Sequence, residues 1–256
     1  MIIVNCKQGD EVWKPARAGV TTASMFSTVR AKVGMLNDQQ KIYVDAILSG
    51  KSEGAAKGLA EYKNTPTSET IQKALAGEKI GDWSEATKNY AFRLACERIS
   101  GEPLDGDMFQ TWAMRRGREL EETCRIRHEQ DIGQIVDLAG FVMTDDGKFG
   151  ASADSLIEED GGAEYKCFYA PEMVRPIIIE NDWGKITDQV QGCLWITGRK
   201  WWDNCLLFPA LASIGKDFKR HRVMRDENYI EKLELDLMEF DALVCNWENK
   251  LREKAA

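Results

Sequence analysis

The amino-acid sequence predicts an α+β fold, with a central mixed β-sheet flanked by helices and a mainly helical amino-terminal half. After a short apolar strand at Met1–Val4, residues 5–130 carry helical signals separated by glycines. Residues 134–144 are rich in Val, Ile and Phe and end at Asp145-Asp146-Gly147, a hairpin turn signal. An amphipathic helix is predicted from Asn228 to Lys254.

Helices are predicted at four places in the first half, each from an apolar stripe and the turn residues that flank it. The third helix follows Asp82, whose side chain is a good amino-terminal cap. The four helices are expected at Ser24–Val33, Thr67–Leu75, Trp83–Ile99 and Asp105–Glu129.

The sheet is predicted to begin as an antiparallel meander of three strands joined by tight turns. A helix and two further strands follow it. The meander strands are expected at Gln134–Thr144, Phe149–Ile157 and Ala163–Phe168, the helix at Ile186–Thr197, and the later strands at Trp201–Leu211 and His221–Arg225.

The chain of 256 residues permits one large domain or two small ones, and because no obvious linker divides it we expect a single domain. Within it, residues 1–130 would form the helical part, 131–225 the catalytic sheet and 226–256 the closing helix. No stretch approaches the roughly 18 apolar residues of a membrane span, and the apolar start is too short for a signal peptide. We therefore expect a cytoplasmic protein without a membrane partner.

Seven cysteines are scattered along the chain without a C-x-x-C pair, and only two histidines occur. Such spacing excludes the usual zinc site and argues against an iron–sulfur cluster. An odd, scattered set of cysteines fits reduced thiols that serve mostly as small core residues.

The net charge of −8 does not indicate a nucleic-acid-binding protein by bulk charge. Basic residues nevertheless cluster in three groups. Either these groups are solvated surface, or they form a basic groove that attracts phosphates. The groups are Lys14, Arg17, Arg30 and Lys32; Arg115, Arg116 and Arg118; and Lys216, Lys219, Arg220, Arg222 and Arg225.

Three charged residues on the predicted meander form the most informative pattern. Glu164 and Lys166 are two residues apart on one strand, so both side chains emerge on the same face. Asp154 precedes them by one hairpin and can face the same pocket from the neighbouring strand. The alternative is a solvated hairpin that carries these charges by chance.

This combination suits a magnesium site. Mg²⁺ prefers oxygen ligands and binds through a few carboxylates plus water and substrate phosphate. Asp154 and Glu164 would supply the carboxylates, and the backbone carbonyl of Tyr165 is a plausible third ligand. Lys166 would orient or deprotonate an attacking water, or stabilise charge on a phosphate.

The arrangement resembles the PD-(D/E)-x-K nucleases and, more narrowly, the lambda exonuclease and YqaJ-type viral recombinases, a family of alkaline exonucleases. Four patches carry the resemblance in order along the chain. Ala153 replaces the proline that often precedes the catalytic aspartate, and residues 34–107 match poorly. The patches are Gln8–Trp13 with Arg17–Ser24; Gly117–Glu121; Ser152–Leu156 with Glu164–Cys167; and Gln189–Gln191 with Trp195–Lys200.

The resemblance implies a restriction-endonuclease-like core and a 5′-to-3′ exonuclease that uses two Mg²⁺ ions, which Mn²⁺ can replace. The enzyme would digest one strand of linear double-stranded DNA and leave 3′ tails for recombination by strand annealing. The resemblance also implies a ring-shaped homotrimer, a single-strand annealing recombinase as partner and, for a phage-encoded protein, the host cytoplasm.

The resemblance further implies roles for five supporting residues. Glu121 would be a third carboxylate ligand, although by its spacing alone it could be an ion-pair partner of Arg125. Gln189 would bind the water or the scissile phosphate, or else be an ordinary boundary amide. The 5′-terminal phosphate would be held by Arg17, Thr22 and Ser24, which could otherwise be a surface arginine and a helix cap.

Two other functions stay open on the sequence alone. One is a structure-specific DNA endonuclease with the same metal site, which would cut a circular duplex. The other is a non-catalytic DNA-end-binding protein that keeps the fold. The intact set of Asp154, Glu164 and Lys166 argues against the second.

Overall fold

The computed structural model describes residues 1–6, 10–104, 112–167 and 170–253, apart from the side chains of Ala113 and Met114. Parts of three predicted elements, namely residues 105–111, Phe168 and Lys254, therefore lie outside the described residues.

The helices of the described chain are α1 (Trp13–Ala16), α2 (Phe26–Arg30), α3 (Asp38–Leu48), α4 (Glu53–Leu59), α5 (Glu69–Leu75), α6 (Glu85–Ser100), α7 (Trp112–Ile132), α8 (Pro171–Ile179), α9 (Gly184–Thr197) and α10 (Glu227–Arg252). The strands are β1 (Ile2–Val4), β2 (Thr21–Thr22), β3 (Lys32–Val33), β4 (Asp82–Trp83), β5 (Asp137–Leu138), β6 (Phe141–Met143), β7 (Phe149–Ser152), β8 (Ser155–Ile157), β9 (Gly161–Cys167), β10 (Trp201–Leu207) and β11 (Phe218–Met224).

The chain divides into two compact units, one made of Met1–Arg30 with Asn89–Ala256 and the other of Ala31–Lys88. The smaller unit packs α3, α4 and α5 around an apolar core, and β3 pairs with β4 in antiparallel fashion. The single domain expected from the sequence stays a prediction. The core residues of the smaller unit are Leu36, Tyr43, Val44, Ala46, Ala56, Ala60 and Ile71.

Two helices of this unit, α3 and α4, were not predicted from the sequence. α3 begins with a capping box, in which Asn37 accepts from the backbone N–H of Gln40 and the Gln40 side chain accepts from that of Asn37. α4 begins at Ser52, whose hydroxyl accepts from the backbone N–H of Ala55. An Asn three residues before a Gln is a recognisable helix start, so the signal for α3 was present.

The larger unit contains two mixed sheets. The five-stranded sheet has the order β11-β10-β9-β8-β5, in which only β9 and β10 are parallel. The four-stranded sheet has the order β1-β6-β7-β2, in which β2 and β7 are parallel. The helical first half and these mixed sheets confirm the predicted α+β class.

The predicted antiparallel meander is broken at two points. Gln134–Thr144 is not one strand, because β5 and β6 belong to different sheets and Gly140 lies between them. A Cβ at Gly140 would lie 2.4 Å from the carbonyl oxygen of Val4, so the chain approaches β1 too closely for another residue. Phe149–Ile157 is likewise divided into β7 and β8 at Ala153–Asp154.

Two later strands also differ from the prediction. β10 ends at Leu207 rather than Leu211, and a 3₁₀ helix follows at Pro209–Ile214. Proline has no backbone N–H to donate to a sheet, which explains why the ladder stops there. β11 begins at Phe218, three residues before the predicted start.

The helix predicted at Ser24–Val33 is much shorter than expected. Its first turn is a 3₁₀ helix, Ala23–Met25, and α2 ends at Arg30. The backbone groups of Lys32–Val33 bond with β4 as a strand, so they do not extend the helix.

The start of α6 also differs from the prediction. Trp83, predicted to be helical, lies in β4. Ser84 rather than Asp82 caps α6, since its Oγ accepts from the backbone N–H of Thr87 at 3.1 Å. A Ser cap satisfies a donor of the first turn in the same way as the predicted Asp would.

Helices cover both faces of the five-stranded sheet. α7 lies on one face, where Leu120 packs in a cluster with Tyr165. α8 and the start of α9 lie on the other, where Val174 and Ile186 pack with Leu206. Because side chains alternate along a strand, Glu164 projects to the α9 side while its neighbour Tyr165 projects to the α7 side.

A buried polar network joins α7 to the sheet. His128 lies between the hydroxyl of Tyr165, 3.2 Å from Nδ1, and the carboxylate of Asp203, 3.1 Å from Nε2. Arg222 donates to both oxygens of Asp203 at 2.8 Å. Burial alone would raise the pKa of Asp203, but the hydrogen bonds from Arg222 and His128 lower it to about 2.

Two glycines allow β9 and β10 to pair beneath bulky rings. Gly161 is the register partner of Trp201, and Gly162 that of Trp202. A Cβ on either glycine would lie 2.2 Å from an atom of the opposing indole ring. Only glycine provides the space that these rings occupy.

The chain closes with α10, as predicted, and Asp226 caps it by accepting from the backbone N–H of Tyr229. The helix is amphipathic as expected, with one apolar face buried. Within the described ranges, no helix combines the length and apolarity needed to cross a membrane. The apolar stripe consists of Ile230, Leu233, Leu237, Phe240 and Val244.

Candidate active site

A cleft of about 430 Å³ lies along β9, and every side chain predicted for the site lines it. Residues far apart in the sequence meet there. The predicted catalytic residues and the predicted phosphate-binding residues are therefore neighbours. They are Asp154, Glu164, Lys166, Glu121 and Gln189, together with Arg17, Thr22 and Ser24.

Asp154 lies in the gap between β7 and β8 rather than within a continuous strand, as had been predicted. Its Oδ2 accepts a hydrogen bond from the backbone N–H of Tyr165 at 2.6 Å. β8 pairs with β9 only as far as Ala163, so this carboxylate takes the place of the next strand partner. The break in the strand thus holds Asp154 against the edge of β9.

Glu164 and Lys166 of β9 are joined by Gln189 of α9. Lys166 Nζ donates to Glu164 Oε1 at 2.7 Å and to Gln189 Oε1 at 3.2 Å. Gln189 Nε2 donates to the same oxygen of Glu164 at 2.7 Å. The amide of Gln189 therefore bonds to both charged residues and holds them in a closed ring of hydrogen bonds.

Glu121 of α7 is half-buried in the cleft. Burial, and after it the charge of Glu164, raise the pKa of Glu121, so the two carboxylates interact. Arg125, its alternative partner, pairs instead with Glu129 at 2.7 Å and with Glu122 at 3.9 Å. Glu121 is accordingly part of the acidic group in the cleft.

Three carboxylates, Glu121, Asp154 and Glu164, line the cleft together with three cationic side chains, Arg17, Arg118 and Lys166. Burial, and then the charge of Glu164, raise the pKa of Asp154 well above its ordinary value. Burial alone would lower the pKa of Lys166, but Glu164 and Asp154 raise it, so the ammonium is charged at neutral pH. A divalent cation bound among the three carboxylates would reduce their mutual repulsion.

Several oxygen atoms of the cleft could hold a divalent cation such as Mg²⁺. Glu164 Oε2 is buried and has no hydrogen-bond partner within the described part of the chain, which is unfavourable for a carboxylate oxygen. The N–H and C=O of one strand residue point to the same edge, so we expect the carbonyl of Tyr165 to face Asp154 as its N–H does. Across the described ranges, no three His, Cys, Asp or Glu side chains form a ready-made metal site. Backbone, water and phosphate oxygens would therefore complete the shell, as is usual for Mg²⁺.

The predicted phosphate-binding residues line the same cleft as Trp13, which contacts one of them. The guanidinium carbon of Arg17 is 4.0 Å from the centre of the Trp13 ring, whose Nε1 donates to Ser152 Oγ at 3.0 Å. The hydroxyls of Thr22 and Ser24 are 3.3 Å apart. Because α2 has only five residues, the site depends on side-chain donors rather than on the end of a long helix.

Trp13, Arg118 and Cys193 line the cleft but were not among the predicted site residues, although Arg118 belongs to one of the three basic groups. Arg118 lies three residues before Glu121 on α7, and Cys193 four residues after Gln189 on α9. Helical residues at these spacings share a face, so the signal was present. The position of Trp13 depends on its long-range bond to Ser152, which no local pattern indicates.

The chain matches no known protein-family profile and no curated protein sequence. Its fold is similar to that of an alkaline exonuclease from Laribacter hongkongensis, with a TM-score of 0.67 and 22% identity over 95% of this chain and 96% of that one. The structure of that exonuclease in complex with dAMP gives the same values. A phage-related exonuclease from Haemophilus somnus is similar over 91% of this chain and 94% of that one, with a TM-score of 0.56 and 13% identity.

The chain has the fold of these exonucleases. The restriction-endonuclease-like core predicted from the sequence is therefore confirmed, and so is the resemblance to alkaline exonucleases at the level of the fold. At these identities the likeness carries no information on individual residues. Their roles depend on the geometry of the cleft.

Proposed function

We propose that this protein is a metal-dependent DNA exonuclease that degrades one strand of linear duplex DNA from its 5′ end. The observation that carries the proposal is one cleft that combines Asp154, Glu164 and Lys166 with Arg17 and Thr22. Carboxylates suit a divalent cation, and a guanidinium beside hydroxyls suits a phosphate. The fold shared with two exonucleases, one of them known in complex with dAMP, supports the same activity.

The cation would be held by Asp154, Glu164 and the Tyr165 carbonyl, with Glu121 as a further carboxylate. Bound Mg²⁺, or Mn²⁺ in its place, supplies an activated water and neutralises charge on the phosphodiester. The family resemblance favours two such ions. Because its raised pKa keeps it protonated, Lys166 would orient the attacking water or stabilise charge on the phosphate oxygens rather than act as a base, and Gln189 keeps its ammonium in place.

The direction of digestion is proposed from Arg17, Thr22 and Ser24. A terminal phosphate carries more negative charge than an internal diester, so a guanidinium with two hydroxyls favours a chain end. Trp13 supports this role, because it stacks on Arg17 and bonds to Ser152, two residues before Asp154. A 5′ phosphate bound there would lie in the same cleft as the metal ligands.

The test is digestion of a linear duplex with one 5′-phosphorylated end and one 5′-hydroxyl end, beside a covalently closed circle. We expect Mg²⁺-dependent loss of the phosphorylated strand and an intact circle. Cutting of the circle would favour an endonuclease, and binding of ends without digestion would favour a non-catalytic protein. Asp160→Asn is the matched control, because this exposed carboxylate pairs with Lys200 outside the cleft.

We further propose a ring-shaped homotrimer and a single-strand annealing recombinase as partner. Both proposals follow from the family resemblance, as does a role in recombination through 3′ single-stranded tails in the cytoplasm of a host cell. Light scattering at micromolar concentration should give three times the mass of the chain. A monomer mass would contradict the proposed ring and the processive digestion that a ring would provide.

A further inference from the structure

Asn204 in the middle of β10 is fully buried, yet neither polar atom of its side chain has a hydrogen-bond partner among the residues the structure describes. A buried amide without partners is unfavourable, and an apolar side chain of similar shape would be tolerated or would stabilise the fold. Folding alone therefore gives no reason for an asparagine at this position.

The neighbour of Asn204 in the sheet supplies a reason. β9 and β10 are parallel, and Asn204 is the register partner of Glu164. Register partners project from the same face of adjacent strands that lie roughly 4.8 Å apart. Glu164 Oε1 already accepts from Lys166 and Gln189, whereas its Oε2 has no partner in the described residues.

The unpaired amide donor of Asn204 and the unpaired carboxylate oxygen of Glu164 therefore project from the same face of adjacent strands. The amide of Gln191 provides a comparison, since it is equally buried but fully bonded. Its Nε2 donates to the carbonyl of Met224 at 3.0 Å, and its Oε1 accepts from the backbone N–H of Asp226 at 3.1 Å. Gln191 therefore has a structural role that Asn204 lacks.

We propose that Asn204 is a positioning residue, which donates from Nδ2 to Glu164 Oε2, directly or through one water molecule. The bond would fix the plane of the carboxylate and leave another lone pair of this oxygen for the cation. Asn204 does not touch the substrate in this scheme and acts through Glu164 alone. The inference rests on the proposed metal-dependent function.

The test compares Asn204→Leu, which keeps the number and branching of the side-chain heavy atoms and removes the polar ones, with Gln191→Leu. Three quantities are measured: the Mn²⁺ affinity of DNA-free protein by calorimetry, the unfolding midpoint in EDTA, and cleavage at saturating Mn²⁺. For Asn204→Leu we expect roughly ten- to hundredfold weaker Mn²⁺ binding, an unchanged or higher midpoint, and cleavage that recovers at saturating metal. For Gln191→Leu we expect a lower midpoint and unchanged Mn²⁺ affinity.

A second pair of variants covers the case in which Asn204→Leu does not fold. Asn204→Ser and Asn204→Ala are of similar size and differ by one hydroxyl, which can still donate through a water. The proposal requires tighter Mn²⁺ binding by the Ser variant, and equal binding by the two would overturn it.

The same measurements distinguish a failure of the proposed metal-dependent function from a failure of the role proposed for Asn204. If the wild-type protein binds no Mn²⁺, or binds it equally after Asp154→Ala, the metal site itself is wrong. If the wild type binds Mn²⁺ and Asn204→Leu binds it equally well, only the role of Asn204 is wrong.

Discussion

The guanidinium of Arg17 stacks on the indole of Trp13, with 4.0 Å between the guanidinium carbon and the ring centre. Stacking fixes the plane of the guanidinium and hence the direction of its N–H donors. Trp13 is itself held by Ser152 on β7. The residue proposed to hold a terminal phosphate is thereby tied to the strand that leads into Asp154.

Arg17→Ala should remove the preference for phosphorylated ends. Charge-assisted hydrogen bonds contribute roughly 1.5–3 kcal/mol, so the wild type should digest 5′-phosphorylated duplexes about ten- to a hundredfold faster than 5′-hydroxyl ones. In the variant this ratio should approach one, while cleavage at saturating DNA survives. The measurement is the ratio of initial rates on the two duplexes.

Arg252→Ala is the control for this change, because it removes an arginine that pairs with Glu248 and does not line the cleft. Trp13→Phe keeps an aromatic ring for Arg17 and should retain most of the preference. An Arg17→Ala protein that still prefers phosphorylated ends would show that the phosphate is held elsewhere.

Asp154→Asn should abolish cleavage and leave the fold intact. The pKa of Asp154 is raised by burial and by Glu164, so the ionised carboxylate is disfavoured in the folded protein without metal. The neutral amide removes this repulsion, and the unfolding temperature in EDTA should stay the same or rise. Digestion at near wild-type rate with Mg²⁺ would exclude Asp154 as a ligand, and Asp160→Asn serves as the active control.

Lys166→Ala should slow the chemical step by roughly 10²–10⁴-fold, the range for an acid–base or electrostatic role. Mn²⁺ affinity should be largely retained, since the ammonium pairs with Glu164 but supplies no ligand atom. Single-turnover digestion at saturating metal measures the first effect and calorimetry the second. A large loss of affinity with an unchanged saturated rate would mean that Lys166 only balances charge.

Asp203 should make the fold sensitive to acid. Its pKa of about 2 is depressed, so its contribution is complete above the unfolded pKa of roughly 3.9 and disappears as the pH falls through about 2. The shift corresponds to about 2–3 kcal/mol of unfolding free energy. Asp203→Asn should be less stable at pH 7, because Arg222 loses a charged acceptor with two oxygens, and should lose less stability between pH 4 and 2.

Urea unfolding at several pH values measures this difference in slope. Asp160→Asn, which changes an exposed carboxylate, should keep the wild-type slope. Equal slopes for wild type and Asp203→Asn would show that other carboxylates cause the acid sensitivity.

The part of the site that could be predicted from sequence is the part that local geometry determines. Glu164 and Lys166 had to share a face because strands alternate, and the structure places both beside Asp154 as expected. The break that frees Asp154 from a strand was not foreseen, because it depends on where β8 stops pairing with β9.

Contacts between segments that are distant in the chain could not be predicted from the sequence. The register that sets Asn204 beside Glu164 joins strands separated by a helix pair, and a single sequence carries no signal for such a pairing. The short α2 has a related cause, because β3 forms only by pairing with β4, about fifty residues away. The start of α3, by contrast, could have been predicted, because the capping box at Asn37 is a local sequence pattern.

The two glycines that open β9 have a consequence for alignment. If β9 slid by one residue along β10, Ala163 would come to lie beneath an indole that leaves room for no side chain. The bulky rings of Trp201 and Trp202 therefore admit one alignment of the two strands. That alignment determines the position of Glu164 along the sheet. Two tryptophans that take no part in the chemistry therefore determine the position of the acidic group.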